Sequence, residues 1–236
     1  MKPTILTRFF IAFIILIVLS PVTTVAQDKG EKPLYSTSPN MPRHYANRVA
    51  KFESEPIVKG KILFLGNSIT EGTNWRELLG DDSVINRGIG GDVSFGILDR
   101  LDDVIARKPQ KVFLLIGIND LAQHIPDEVI AENCKKIVER IQKESPETNV
   151  YMQSVLPVNP NLPRFPKNYD LQEQVIATNK YLKKVAKKIK CPYIDIFSVF
   201  LNEEKLLNPK YTREGLHLNA EGYKVWVEFL KDKNYL

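Results

Sequence analysis

The run Val112-Phe113-Leu114-Leu115-Ile116-Gly117-Ile118-Asn119-Asp120 decides the fold. Five apolar residues closed by a glycine have strand length, and the lack of polar alternation marks a strand covered on both faces. Burial of that kind belongs to a parallel sheet held between two helical layers. Outward from this run the pattern repeats, with further strand candidates at 62–65, 84–86, 150–155 and 193–196. Between them, Ile97, Leu98, Leu101, Val104 and Ile105 share one helical face, as do Val129, Ile130, Cys134, Ile137, Val138 and Ile141. Leu171, Val175, Leu182, Val185 and Ile189 mark a third helix, and Asn219 is placed to cap a last one running through Leu230. Pro126 suits the first position of the second helix, where its missing N–H costs nothing.

The alternation predicts one α/β domain over 61–236. It is a three-layer α/β/α arrangement with a five-stranded parallel, flavodoxin-like sheet. Residues 27–60 read as an N-terminal extension with a short helix near 44–52 laid on the domain from outside. Open parallel sheets bind ligands beyond the carboxyl ends of their strands, where strand order reverses. The loops that matter for chemistry are therefore those after 65, 86, 116, 155 and 196.

Of the 236 residues, 43% are hydrophobic and 26% charged, which excludes disordered, collagen-like and disulfide-dense chains. Two cysteines, Cys134 and Cys191, suffice for one bridge or two free thiols, not for a four-cysteine zinc site. Lys2 and Arg8, the apolar run 9–19 and Thr24-Val25-Ala26 follow the order of a secretory signal with cleavage after Ala26. The run is shorter than the ~20 residues a membrane span needs, so an uncleaved anchor is the lesser reading. Export to the periplasm or beyond is expected, with no stable membrane insertion after cleavage. Loss of Lys2 and Arg8 lowers the net charge from +5 to +3, and the lysines of 180–190 are spaced as a solvated helix face. Nucleic acid is not an expected partner.

Four of the predicted loops carry chemistry-bearing residues. The first holds Gly66-Asn67-Ser68-Ile69-Thr70, where a serine between strand and helix is either an N-cap or an exposed hydroxyl at the helix's positive end. The elbow of α/β-hydrolases is excluded, because Thr70 stands where its second glycine belongs. The second holds Asn86-Arg87-Gly88-Ile89-Gly90-Gly91-Asp92, whose glycines permit a tight turn with a bare main-chain N–H. A dinucleotide fingerprint fails there at Val93. The third holds Asn119, whose amide can donate to an oxyanion or close an Asx-turn. Near the C-terminus, Glu214-Gly215-Leu216-His217 puts a carboxylate three residues before a histidine, a spacing that His44 and His124 lack.

Taken in order, these blocks resemble the SGNH or GDSL hydrolases. Gly66-Asn67-Ser68 is similar to their first block, Gly90-Gly91-Asp92 to the second, Gly117-x-Asn119-Asp120 to the third and His217 to the last. The 88–92 run is most similar to the platelet-activating-factor acetylhydrolase-like branch, and the resemblance spans about 61–230. It implies a serine esterase that needs no cofactor or metal. Ser68 would be the nucleophile, His217 its base, and the N–H groups of Ser68 and Gly91 with the Asn119 side chain the oxyanion hole. Two positions depart from the pattern: Asn67 stands where the family usually has Asp, and Glu214 where it usually has Asp. Glu214 is expected to orient His217, with Asp195 or a backbone carbonyl as the alternative. The proline-rich connection 157–170 would wall the pocket with Arg164, Phe165 and Tyr169 or be a solvated linker, and Trp75 would line the acyl side or pack. Expected substrates are short-chain, foremost acetyl, esters on a small molecule or glycan. A lipid esterase is the second reading and an inactive carbohydrate-binding module the third.

Overall fold

The computed structural model describes residues 42–236, so the signal-like segment and its cleavage point lie outside the described residues. Helix α1, Pro42–Ser54, precedes the sheet. Strand β1, Ile62–Gly66, leads into the one-turn α2, Ser68–Glu71, and the short α3, Trp75–Leu79. Strand β2, Ile85–Gly88, is followed by α4, Ser94–Asp99, and α5, Leu101–Ala106. Strand β3, Lys111–Leu115, leads to α6, Ile118–Ala122, and the long α7, Asp127–Glu144. Strand β4, Asn149–Gln153, connects through the 157–170 segment to α8, Gln172–Lys188. The two-residue β5, Tyr193–Ile194, and α9, Ala220–Asp232, complete the order.

All four strand pairings are parallel, and the order is β2-β1-β3-β4-β5. The chain therefore reverses its direction of travel across the sheet between β1 and β3. Leu65 lies opposite Arg87 on one side and Leu114 on the other, so the loops after β1, β2 and β3 emerge side by side.

The two sheet faces are packed differently. Phe64, Phe113 and Tyr151 are register neighbours and stack in a row, with centroids 5.0 and 5.1 Å apart. Trp75 of α3 stacks on Phe64 at 3.7 Å, and Trp226 of α9 meets both rings edge-on. The alternate strand residues Leu63, Leu65, Val112, Leu114, Val150 and Met152 are buried aliphatics, as period-two alternation requires. In the helices, Ile97, Ile130, Ile137, Ile141, Val175 and Leu182 belong to the same buried cluster. Trp75 is thus a packing residue.

Several boundaries differ from the sequence reading. Helix α1 is longer than 44–52 at both ends, and it is tied in: Phe52 is buried, and the Arg107 guanidinium donates to Phe52 and Pro56 carbonyls at 3.0 and 2.7 Å. Pro126 occupies the cap of α7 with extended ψ, one residue before its expected place. Strand β5 is shorter than 193–196 because Asp195 turns the chain, accepting the Ser198 N–H and hydroxyl at 3.1 and 2.8 Å. Cys134 and Cys191 are free and buried, and burial pushes both thiols up, Cys191 to about 11. Among the described residues no helix is long and apolar enough to cross a membrane.

Candidate active site

Strand β1 delivers its last residue to the switch point, and the first turn beyond it is capped by Asn67. Its Oδ1 accepts the Ile69 N–H at 3.0 Å. The capping task falls to Asn67, which leaves the Ser68 hydroxyl free, and Ser68 Oγ lies 3.0 Å from His217 Nε2. These residues are 149 positions apart.

His217 stands on the segment just before α9. Its Nδ1 is 2.5 Å from Glu214 Oε1, and the same oxygen accepts the His217 backbone N–H at 3.1 Å. One carboxylate oxygen thus receives both groups, which the longer glutamate arm permits across a tight turn. Asp195 is engaged with Ser198 in its own loop. In the tautomer that donates Nδ1–H to Glu214, Nε2 carries a lone pair aimed at the Ser68 hydroxyl and able to accept its proton.

Gly91 and Asn119 come from the neighbouring loops. Gly91 has φ +76°, a left-handed conformation open to glycine at no steric cost. Asn119 is buried, its Nδ2 donates to the Asp92 carbonyl at 2.8 Å, and its Oδ1 accepts the Tyr169 hydroxyl at 2.8 Å. The amide carries two hydrogens, so one is left for an incoming group. The side chain does not cap its own helix α6, so the Asx-turn alternative does not describe it.

The 157–170 segment is part of this arrangement. Tyr169 holds Asn119, and burial raises its hydroxyl pKa. The Asn159 N–H donates to the Gly215 carbonyl at 2.8 Å. Gly215 has φ +99°, and a Cβ there would fall 2.2 Å from the Asn159 oxygen and 2.8 Å from Phe165. The segment therefore grips the Glu214–His217 turn as well as Asn119. Arg164 is exposed and not among these contacts.

Beneath the loops lies a buried ionic frame. Arg100 donates to Asp92 Oδ2 and to the Gly66 carbonyl at 2.9 and 3.1 Å, which joins the ends of β1 and the glycine loop. Asp120 accepts the Ser94 N–H at 2.9 Å and its hydroxyl at 2.5 Å. Burial raises the Asp120 pKa to about 6, opposed by those two bonds and helped by the Asp92 charge.

Over the serine opens a cavity of about 260 Å³ lined by Ser68, Glu71, Gly72, Arg213, His217 and Tyr223. The Tyr223 hydroxyl donates to the Ile69 carbonyl at 2.8 Å, and burial first, then Glu214, lifts its pKa to about 12. Glu71 and Arg213 had escaped the sequence reading. Glu71 was detectable as an acid one turn after Ser68, whereas Arg213 carries no local signal beyond standing beside Glu214. Among the described residues, no cluster of His, Cys, Asp and Glu is arranged to hold a metal ion.

Comparison with known proteins bears on the family and the fold. The chain is 26% identical over 169 residues to the alpha2 subunit of platelet-activating factor acetylhydrolase IB from Rattus norvegicus, covering 69% of this chain and 70% of that one. A GDSL-like lipase from Bacteroides thetaiotaomicron superposes with a TM-score of 0.69 at 26% identity, covering 81% and 98% of the two chains. Axe2, an acetylxylan esterase from Geobacillus stearothermophilus, shares the fold with a TM-score of 0.60 at 20% identity over 75% and 96%. Residues 64–225 match the GDSL-like lipase/acylhydrolase family, and the chain, an ester hydrolase with the five-stranded parallel sheet of its neighbours, belongs to that family.

Proposed function

We propose that the chain hydrolyses short-chain esters, foremost acetyl esters, through a serine acyl-enzyme, and that its natural substrates are acetylated carbohydrates met after export. The observation that carries this reading is the continuous contact from Ser68 Oγ to His217 Nε2 and from Nδ1 to Glu214, at 3.0 and 2.5 Å.

Ser68 attacks the acyl carbon while its proton passes to His217 Nε2. Glu214 steadies the imidazolium that results. The carbonyl oxygen takes up the electron pair as an oxyanion, received by the N–H groups of Ser68 and Gly91 and the second Asn119 hydrogen. Collapse expels the alcohol, which takes the proton from His217. Water repeats the sequence on the acyl-serine and releases the acid.

The small cavity and its polar lining, with Arg213 and His217 on its wall, support a short acyl group and a polar substrate. The names of the rat acetylhydrolase and the Geobacillus acetylxylan esterase share the acetyl group and differ in what bears it. The signal-like N-terminus favours the carbohydrate, since an exported protein meets polysaccharide. The test compares kcat/KM on p-nitrophenyl acetate, butyrate and octanoate, with acetate release from acetylated xylan and hydrolysis of a lysophospholipid alongside. Acetyl esters should lead octanoyl by more than tenfold, and Ser68→Ala should remove activity and fluorophosphonate labelling. A maximum at octanoate, or preference for the lysophospholipid, overturns the acetyl-carbohydrate reading in favour of a lipid esterase.

A further inference from the structure

Glu71 sits one helical turn beyond Ser68 on α2 and faces the same cavity, yet its contacts lie on the other side, toward the glycine loop and α1. Its Oε2 accepts the Gly90 N–H at 2.5 Å and lies 3.0 Å from His44 Nε2, while Oε1 is 3.2 Å from Arg48 Nε. Arg48 also donates to the Gly88 carbonyl at 3.0 Å. The fit is close: a Cβ on Gly90 would stand 3.2 Å from Glu71 Oε2 and 3.4 Å from His44 Nε2. The turn that presents Gly91 is thus held at Gly88 by α1 and at Gly90 by Glu71. His44 and Arg48 of α1 grip Glu71 in turn, and both lie outside the 64–225 segment that matches the family.

A chain with glycines at 88, 90 and 91 has wide backbone freedom, and a main-chain donor helps an oxyanion only if it is already aimed when the charge forms. We infer that Glu71 is a positioning residue for the oxyanion donor at Gly91, and that α1 completes the active site by fixing the Glu71 carboxylate. The inference rests on the serine esterase reading above. It assigns no proton transfer and no substrate contact to Glu71. It explains why an acid held by an arginine and a histidine is spent beside the nucleophile, where an unpaired carboxylate would repel the developing oxyanion.

The test uses the full chain with p-nitrophenyl acetate, reading kcat, KM, thermal midpoint and inhibition by an arylboronate whose tetrahedral serine adduct uses the same donor. Removal of an oxyanion donor outright costs about 10²–10³ in turnover, so loosening one should cost about tenfold. Glu71→Ala should therefore lower kcat by about tenfold, with KM within twofold and boronate inhibition weakened by the same factor. Glu71→Gln keeps an oxygen for the Gly90 N–H and should recover most of the loss. Unchanged kcat in Glu71→Ala, or a raised KM with kcat intact, overturns the inference, the second because it marks a substrate contact. If Glu71→Ala does not fold, Arg48→Ala decides: kcat lowered at constant KM supports the clamp, and kcat equal to wild type overturns it. Absence of fluorophosphonate labelling at Ser68 in the wild type would instead overturn the serine esterase reading, so the two failures are distinguishable.

Discussion

Glu214 is the residue at which resemblance alone was the weakest guide, since its side chain is one methylene longer than the aspartate usual at that place. The length is used: Oε1 reaches both the ring Nδ1 and the backbone N–H of His217. If this carboxylate fixes the tautomer, Glu214→Gln should cut kcat by about 10²–10⁴, less than Ser68→Ala, since the amide can still accept a bond but bears no charge. Glu214→Asp should keep much more activity than Glu214→Gln. Steady-state rates on folded variants check this, and near-wild-type turnover in Glu214→Gln would remove Glu214 from the mechanism. Asp195→Asn should leave turnover within about threefold, because its partners are in its own loop. Asn119→Ala should lower kcat by about 10²–10³. Tyr169 would lose its hydroxyl's acceptor in that variant, so Tyr169→Phe serves as the control: a kcat loss as large as that of Asn119→Ala would move the effect from the amide to the loop. Of these residues Ser68, Asn119 and His217 were legible in the sequence, because each lies in a short block with characteristic neighbours. Tyr169 was legible only as a member of a long connection.

Among the elements, the ends of β1, β2 and β3 place the chemistry, and a buried ion pair locks them together. Asp92 and Arg100 have side chains 0% and 3% exposed, and Arg100 spans to the Gly66 carbonyl. Removing one partner of such a pair leaves an uncompensated charge and costs about 3–5 kcal/mol. Asp92→Ala should therefore lower unfolding free energy by that amount in urea titrations, with the slope unchanged. A loss under ~1 kcal/mol would mean that water or backbone takes over the guanidinium. The glycine loop was read from its glycines, but Arg100 was not, since a charged residue on a helix looks solvated until the fold buries it. Strand ends were likewise misplaced by one or two residues, as at β5, where Asp195 captures Ser198 and stops the pairing.

For the molecule as a whole, Asp120 should set a pH dependence of stability. It is fully buried, and burial raises its pKa from 3.8 to about 6. A carboxyl whose folded pKa lies above the unfolded one favours the fold while protonated. Its contribution is therefore complete below about pH 4 and lost as pH rises through about 6. The full change is worth about 3 kcal/mol. Unfolding free energies of wild type minus Asp120→Asn should accordingly fall by about that much between pH 4 and 7.5. A flat difference would show that the Ser94 bonds keep Asp120 ionised throughout. What the sequence determined by itself was the parallel sheet, its helical cover and the order of functional loops along one edge. Burial on two faces and a 3.6-residue period are local properties, written in which residues are apolar and how they are spaced. Only the tertiary structure decided that Glu214 and not Asp195 meets His217, that Tyr169 holds Asn119, and that α1 reaches Glu71. The last two join residues 50 and 27 positions apart, and the first turns on a side chain's reach of an ångström or two, distances that no spacing along the chain encodes.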